Sequence, residues 1–254
     1  MSGARPARKS SGRDGDETLR AFPGRLWCVV PAAGRGTRFG AQRPKQYVAL
    51  AGKPLLQWTL ERLAACERIG GLVVALAGDD AHWPGLRELA GKPVLTTVGA
   101  DERSGSVLAG LRALPASVGG DDYVLVHDAA RPCVRGDDIA RLIDRGVAAG
   151  GALLAAPLRD TLKRADAQTR VAATESREAR WRALTPQLFR RAELMDALER
   201  ADRDGVAVTD EAMAMELAGH RPLLVEGAES NIKVTTPADL VLAEFLLRGL
   251  RAEG

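Results

Sequence analysis

The sequence predicts an α/β layer fold with a mainly parallel sheet. Three observations carry this. Short apolar runs alternate with segments of helical periodicity. The runs are unbroken rather than alternating, as in strands covered on both faces. The first of them opens into a glycine-rich loop, at the strand end where open α/β sheets bind ligands.

Leu26-Trp27-Cys28-Val29-Val30 is the first run, closed by Pro31 and the loop. Leu56, Leu60 and Leu63 then recur at helical spacing. Leu72 to Ala77 and Val94 to Val98 are the second and third strands. A helix is predicted from Asp101, with Val107, Leu108, Leu111 and Leu114 on one face. Tyr123 to Val126 is the fourth strand and Gly151 to Ala156 the fifth, with a helix over Asp137 to Ala149 between them. The rhythm breaks over residues 159–184, which are polar and lack a long apolar face, and then resumes. So long an interruption in an α/β domain is a functional excursion, read here as an arm. Thr236-Pro237-Ala238-Asp239 supplies an N-cap, a proline at the first helical position and an acid at the third, opening a last helix.

The chain has 254 residues, 46% of them hydrophobic, enough for one domain with a substantial core. Residues 1–24 lack apolar periodicity and read as a disordered tail, leaving 25–254 as a single domain. The net charge of +3 resides in residues 1–25, which hold six Lys/Arg against three acids. The remainder is balanced, so global charge gives no argument for nucleic acid. No apolar run approaches the ~20 residues of a membrane span, and no secretory signal is seen. Cys28, Cys66 and Cys133 are scattered, without a CxxC pair or a spaced His pair. They read as buried fillers in a cytoplasmic protein rather than as disulfides or zinc ligands.

The loop reads Pro31-Ala32-Ala33-Gly34-Arg35-Gly36-Thr37-Arg38-Phe39-Gly40. Its spacing is not GxGxxG, and no Asp or Glu occurs from Ala41 to Leu60, which disfavours an NAD-dependent oxidoreductase. It also lacks the GK[ST] ending of a P-loop. Arg35, Arg38, Arg43, Lys45 and Lys53 instead crowd one acid-free stretch. Cations unmixed with acids beside a glycine loop suit a polyphosphate.

Pro31-Ala-Ala-Gly-x-Gly-x-Arg38 followed by Arg43-Pro44-Lys45-Gln46-Tyr47 resembles the nucleotide loop of the 2-C-methyl-D-erythritol 4-phosphate cytidylyltransferase family, of the non-mevalonate isoprenoid pathway. The resemblance continues through Asp101-Glu-Arg-x-x-Ser106-Val, Val126-His127-Asp128-Ala129-Ala130-Arg131-Pro132 and Ala156-Pro-x-x-Asp160-Thr161-x-Lys163. It closes with Leu184-Thr185-Pro186-Gln187, Thr209-Asp210-Glu211-Ala212 and Asn231-Ile232-Lys233-Val234-Thr235. The Pro-Ala-Ala-Gly loop by itself indicates only the wider sugar nucleotidyltransferase group; the later blocks narrow it.

The resemblance implies a Rossmann-like three-layer nucleotidyltransferase fold with a protruding dimerisation arm, and transfer of CMP from CTP to methylerythritol phosphate. It implies Arg38, Lys45 and Lys233 as the catalytic cations around the triphosphate. It implies Pro31, Ala32, Ala33, Gly34, Gly36, Lys45, Ala100, Asp101, Ser106, Asp128 and Ala129 as the CTP site. Asp128 has a metal or ribose role by the same analogy, with Mg²⁺ held mostly by the nucleotide's phosphates. Alone, such an aspartate could equally cap a helix. His127 reads as structural. Where relatives often carry Gly-Gly, this chain has Gly99-Ala100. For the acceptor, Arg131, Thr185, Thr209 and Lys233 are implied from one subunit, with Thr161 and Arg177 from the arm of a homodimeric partner. The nearest alternative is a related nucleotidyltransferase acting on another sugar or polyol phosphate; another is a silent nucleotide-binding protein.

Overall fold

Strand β1 (Leu26–Pro31) lies near the middle of an eight-stranded sheet. The computed structural model describes residues 25–34 and 44–252, so the expected tail, Gly36 and Arg38 lie outside the described residues. Two short strands, β2 (Ala49–Leu50) and β3 (Lys53–Pro54), pair with each other ahead of helix α1 (Leu55–Ala65). Then follow β4 (Ile69–Leu76), β5 (Glu88–Leu89), β6 (Lys92–Val98) and helix α2 (Arg103–Arg112). Strand β7 (Tyr123–Val126), helix α3 (Gly136–Ala149) and strand β8 (Ala152–Pro157) complete the predicted succession. Helix α2 starts two residues after the expected Asp101 and ends at Arg112; Val107, Leu108 and Leu111 of the expected face are buried in it, while Leu114 is buried beyond its end.

Pairings β1–β4, β1–β7 and β4–β6 run parallel. Successive residues of these strands point to opposite faces. Cys28, Val30, Leu72 and Val74 pack with Leu56, Leu60, Leu142 and Ile143 of α1 and α3. Val29, Val73, Val124 and Val126 pack on the other face with Val107 and Leu111 of α2. Both faces are therefore covered, which is why these runs show no polar alternation. A Cβ at Gly110 would collide with Val29, so the glycine lets α2 close on β1. Cys28, Cys66 and Cys133 are all buried and unpaired, and burial raises each thiol's pKa.

The interruption holds a hairpin, β9 (Leu162–Ala165) and β10 (Val171–Glu175), which forms a sheet of its own. Strand β11 (Trp181–Arg190) begins inside the segment read as arm and returns to the main sheet. It inserts antiparallel between β7 and β8. Helices α4 (Arg191–Arg203) and α5 (Glu211–Leu217) join α2 on its face, and β12 (Leu223–Glu226) pairs parallel with β8 at the edge. The last helix, α6 (Pro237–Ala252), has the predicted start. Thr236 N–H donates to Asp239 Oδ2 at 2.7 Å, and Asp239 N–H returns to Thr236 Oγ1 at 3.4 Å. Its Ala243 and Leu247 pack with Trp58, Cys133 and Val234 in a separate cluster behind the Asp128 turn.

Candidate active site

The carboxyl ends of β1, β6 and β7 border a pocket of about 290 Å³. Its lining contains Pro31, Ala32, Ala33, Gly34, Lys45, Ala100, Asp101, Ser106, Asp128, Ala129 and Lys233. Every described residue that the sequence assigned to nucleotide binding is thus in one cavity.

Local bonds put each wall in place. Gln46 is buried and its Nε2 donates to Ala32 O at 2.7 Å, tying the Lys45–Tyr47 turn to the loop after β1. Tyr47 Oη donates to Asp80 Oδ2 at 2.7 Å on the far side of that turn. Lys45 thereby shares the pocket wall with Pro31–Gly34. At the end of β6, a Cβ on Gly99 would stand 2.7 Å from Ala33 Cβ and 2.8 Å from Ser106 Oγ, so only glycine fits. Ser106 Oγ accepts from Ala100 N–H at 3.0 Å and donates to Ala100 O at 2.9 Å. The hydroxyl fixes the Ala100 peptide, whatever the residue's side chain. A Cβ at Gly105 would lie 2.8 Å from Ala100 Cβ, so the Ala100 methyl is accommodated by that glycine.

The floor is electrostatic. Asp128 is 6% exposed. Its Oδ1 accepts from Arg103 Nε at 2.9 Å; its Oδ2 meets Arg131 Nε at 3.1 Å and Lys233 Nζ at 3.1 Å. Burial opposes ionisation here, but the Arg103, Lys233 and Arg131 charges outweigh it and hold the carboxyl far below the usual carboxylate range. Arg103 also grips the wholly buried Glu211 with both terminal nitrogens, at 2.6 and 3.1 Å. In the floor cluster two acids meet three cations, while Asp101 and Glu102 line the pocket elsewhere, so the positive charge is concentrated at the floor. Lys233 is held close because Val234 N–H donates to Ala130 O at 2.8 Å and Arg131 Nη1 donates to Asn231 O at 2.8 Å.

The acceptor residues divide. Arg131 and Thr185 are buried under the floor. Asp128 N–H donates to Thr185 Oγ1 at 3.0 Å. Thr209 is exposed just before α5, its N–H and hydroxyl on Met213 Sδ. Thr161 and Arg177 are exposed in the arm segment, where Arg177 Nη1 donates to Arg159 O; neither lines the pocket of its own chain. His127 is fully buried, bonded at both ring nitrogens, and kept neutral by burial, which pushes its pKa down to about 4.

Four polar residues that build the site are not singled out by the sequence. Gln46, Arg103 and Glu211 all lie within quoted blocks, and each is a polar residue that the motif, rather than periodicity, places. Gln187 is a further case. It accepts from Ala212 N–H at 2.7 Å and donates to Asp210 at 3.0 Å, fixing α5 and hence Glu211.

Pro31–Gly34 at the end of the first strand of a doubly covered sheet, in one pocket with Lys45, Lys233 and the buried Asp128, belong to a nucleotidyltransferase. Residues 26–249 match the profile of the 2-C-methyl-D-erythritol 4-phosphate cytidylyltransferase family. A protein of that name from Xanthomonas oryzae pv. oryzae (strain PXO99A) is 58% identical over 235 residues, covering 91% of this chain and 86% of the relative. One from Stenotrophomonas maltophilia (strain K279a) is 59% identical over 223 residues, covering 87% and 96%. The crystal structure of the Francisella tularensis enzyme superimposes with a TM-score of 0.75 at 31% identity, covering 88% of this chain and 100% of that one. The chain belongs to the 2-C-methyl-D-erythritol 4-phosphate cytidylyltransferase family.

Among the described residues, no helix is long and apolar enough to cross a membrane.

Proposed function

We propose that this protein transfers CMP from CTP to 2-C-methyl-D-erythritol 4-phosphate, giving 4-diphosphocytidyl-2-C-methyl-D-erythritol and pyrophosphate. The observation that carries this is the placement of Lys45 and Lys233 in one pocket with the Ala100–Ser106 loop and Asp128. An oxygen of the acceptor phosphate attacks the α-phosphorus in line, a P–O bond forms, and the bond to the bridging oxygen breaks. Pyrophosphate departs with that oxygen. No proton transfer and no covalent enzyme intermediate is needed, so catalysis rests on position and charge. Lys45 approaches the triphosphate from the glycine-loop side and Lys233 from the opposite strand end. Arg38, outside the described residues, is assigned to the same catalytic set.

The donor set bears on the metal. Among the described residues, no three His, Cys, Asp or Glu side chains gather in a metal-binding group. Asp128 is the buried carboxylate of the lining, already shared by three cations. A Mg²⁺ held mainly by the CTP phosphates would fit this set, with Asp128 the protein carboxylate that would help hold it. Once bound, the ion would neutralise phosphate charge. The reaction is assigned to the cytoplasm.

Pyrophosphate release, measured with the acceptor and each nucleoside triphosphate, tests this reading. CTP is expected to exceed UTP, ATP and GTP by far. Equal rates with a purine nucleotide, or no release with CTP, would sink it.

The exposed positions of Thr161 and Arg177, outside their own pocket, support a second part of the proposal: they complete the site of a homodimeric partner through the arm. Arg177→Ala and Lys45→Ala proteins should each be weak, and mixing them should restore activity. A mixed dimer holds one intact site and one with both defects. Random exchange makes half the dimers mixed, so the ceiling is about a quarter of wild-type activity under two-fold symmetry. Differently tagged chains verify exchange. Hetero-dimers no more active than either parent would overturn the shared site.

A further inference from the structure

We propose that His127 is a positioning residue for this transfer: a buried strut that joins the two ends of the Asp128–Arg131 turn and so sets the pocket floor. The inference rests on the cytidylyl-transfer reading and adds to it a residue that contacts neither nucleotide nor acceptor.

The hydrogen bonds around the ring can be satisfied in one direction. His127 Nε2 lies 3.1 Å from Arg131 O, a carbonyl that only accepts, so Nε2 carries the proton. In the neutral ring Nδ1 is then bare, and it lies 2.9 Å from Thr185 Oγ1. The Thr185 hydroxyl therefore donates to Nδ1. Its oxygen receives Asp128 N–H at 3.0 Å. The run reads Asp128 N–H to Thr185 Oγ1–H to His127 Nδ1, then Nε2–H to Arg131 O. The opposite tautomer would set two lone pairs against each other at Arg131 and strand the hydroxyl proton in a buried place.

This run closes around the turn. Arg131 N–H already donates to Asp128 O at 3.1 Å across it. The ring adds a second, independent tie between the amide at one end and the carbonyl at the other. The turn between them supplies Asp128, Ala129 and Ala130 to the pocket, and Ala130 O holds the Lys233 segment. Its height fixes where Asp128 and Lys233 stand relative to the α-phosphate. Thr185 acts through the same tie: its proton is committed inside the protein, so it serves the acceptor by holding Asp128.

The test uses the full-length protein with ¹⁵N-labelled histidine. His127 should show the Nε2–H tautomer; an Nδ1–H or doubly protonated ring overturns the directed run. His127→Gln retains a donor for Arg131 O, His127→Asn an acceptor for Thr185, and His127→Leu neither. Loss of alignment should lower kcat by about tenfold to a hundredfold, most in His127→Leu, with KM for CTP near wild type. Thr185→Val should behave alike, and Thr185→Ser should recover. The double variant His127→Leu/Thr185→Val should cost no more than either single change, because both cut one chain. Additive losses, or unchanged kcat, overturn the proposal. If His127→Leu fails to fold, the Gln and Asn variants carry the comparison. Amide exchange at Asp128 gives a readout that needs no turnover: it should quicken in the variants, and unchanged protection would refute the strut. Absence of turnover in the wild type, with the tautomer and the Asp128 protection as described, would instead overturn the assigned reaction alone.

Discussion

Asp128→Asn is expected to lower both stability and activity by large factors. The substitution keeps the side chain's volume and removes its charge. Arg103, Arg131 and Lys233 then face each other across a neutral amide, with Glu211 as the one remaining acid of the cluster. Removing one partner from a buried ionic cluster costs about 3–5 kcal/mol, because the charges left behind are not solvated. For a chain of this size that corresponds to a fall in Tm of about ten degrees. Turnover should fall more than a hundredfold, since the floor that aligns Lys233 is displaced. CTP should raise the Tm of the variant more than that of the wild type, because the polyphosphate replaces part of the missing negative charge. Thermal unfolding with and without CTP, beside steady-state kinetics, checks all three. A Tm within two degrees of wild type would show that the cluster does not hold the floor.

Lys233→Ala should separate the two effects. Its ammonium is about two-fifths exposed and meets an aspartate that two guanidinium groups also serve. Stability should change by less than about 1 kcal/mol, as for other exposed pairs. Activity should fall by about 10²–10³ or more, the loss expected on removing a donor aimed at charge that develops in the transition state. Lys233→Arg should not restore the rate, because a planar fork cannot replace a compact ammonium at the same oxygen. A loss below tenfold for Lys233→Ala would remove Lys233 from the catalytic set.

How much could be read from the sequence followed from how local each cause was. Tyr123–Val126 was read with its correct ends because all four residues are buried, and burial on both faces leaves an unbroken apolar run. The pocket residues Ala32, Lys45, Ser106 and Lys233 were legible through their motif blocks. Strand β11 was not, since Trp181-Arg182-Ala183-Leu184-Thr185-Pro186 mixes charge, a proline and apolar residues without period. What makes it a strand is its pairing with β7 and β8, which spacing does not reveal. Arg103 and Glu211 escaped for a related reason. Each looks like an ordinary helical charge, and their bond spans 108 positions of sequence. Thr185 was associated with the acceptor, whereas its hydroxyl is engaged by Asp128 and His127 within the floor.

The place of β11 in the sheet also orders events as the chain is made. Strands β7 and β8 leave the ribosome first, yet they do not touch; β11, made after both, lies between them. Until it arrives, each presents an open edge of unpaired amides and carbonyls, and the intervening hairpin has no sheet to anchor it. The β8–β12 pair is joined to the rest of the sheet through β11 alone. The joining of β8 to the rest of the sheet therefore waits for Arg190, and the step that makes it also brings Thr185 beneath Asp128. The strand that joins the two parts of the sheet is thus also the one that carries Thr185 to the floor, before Glu211 and Lys233 follow from the chain made after it.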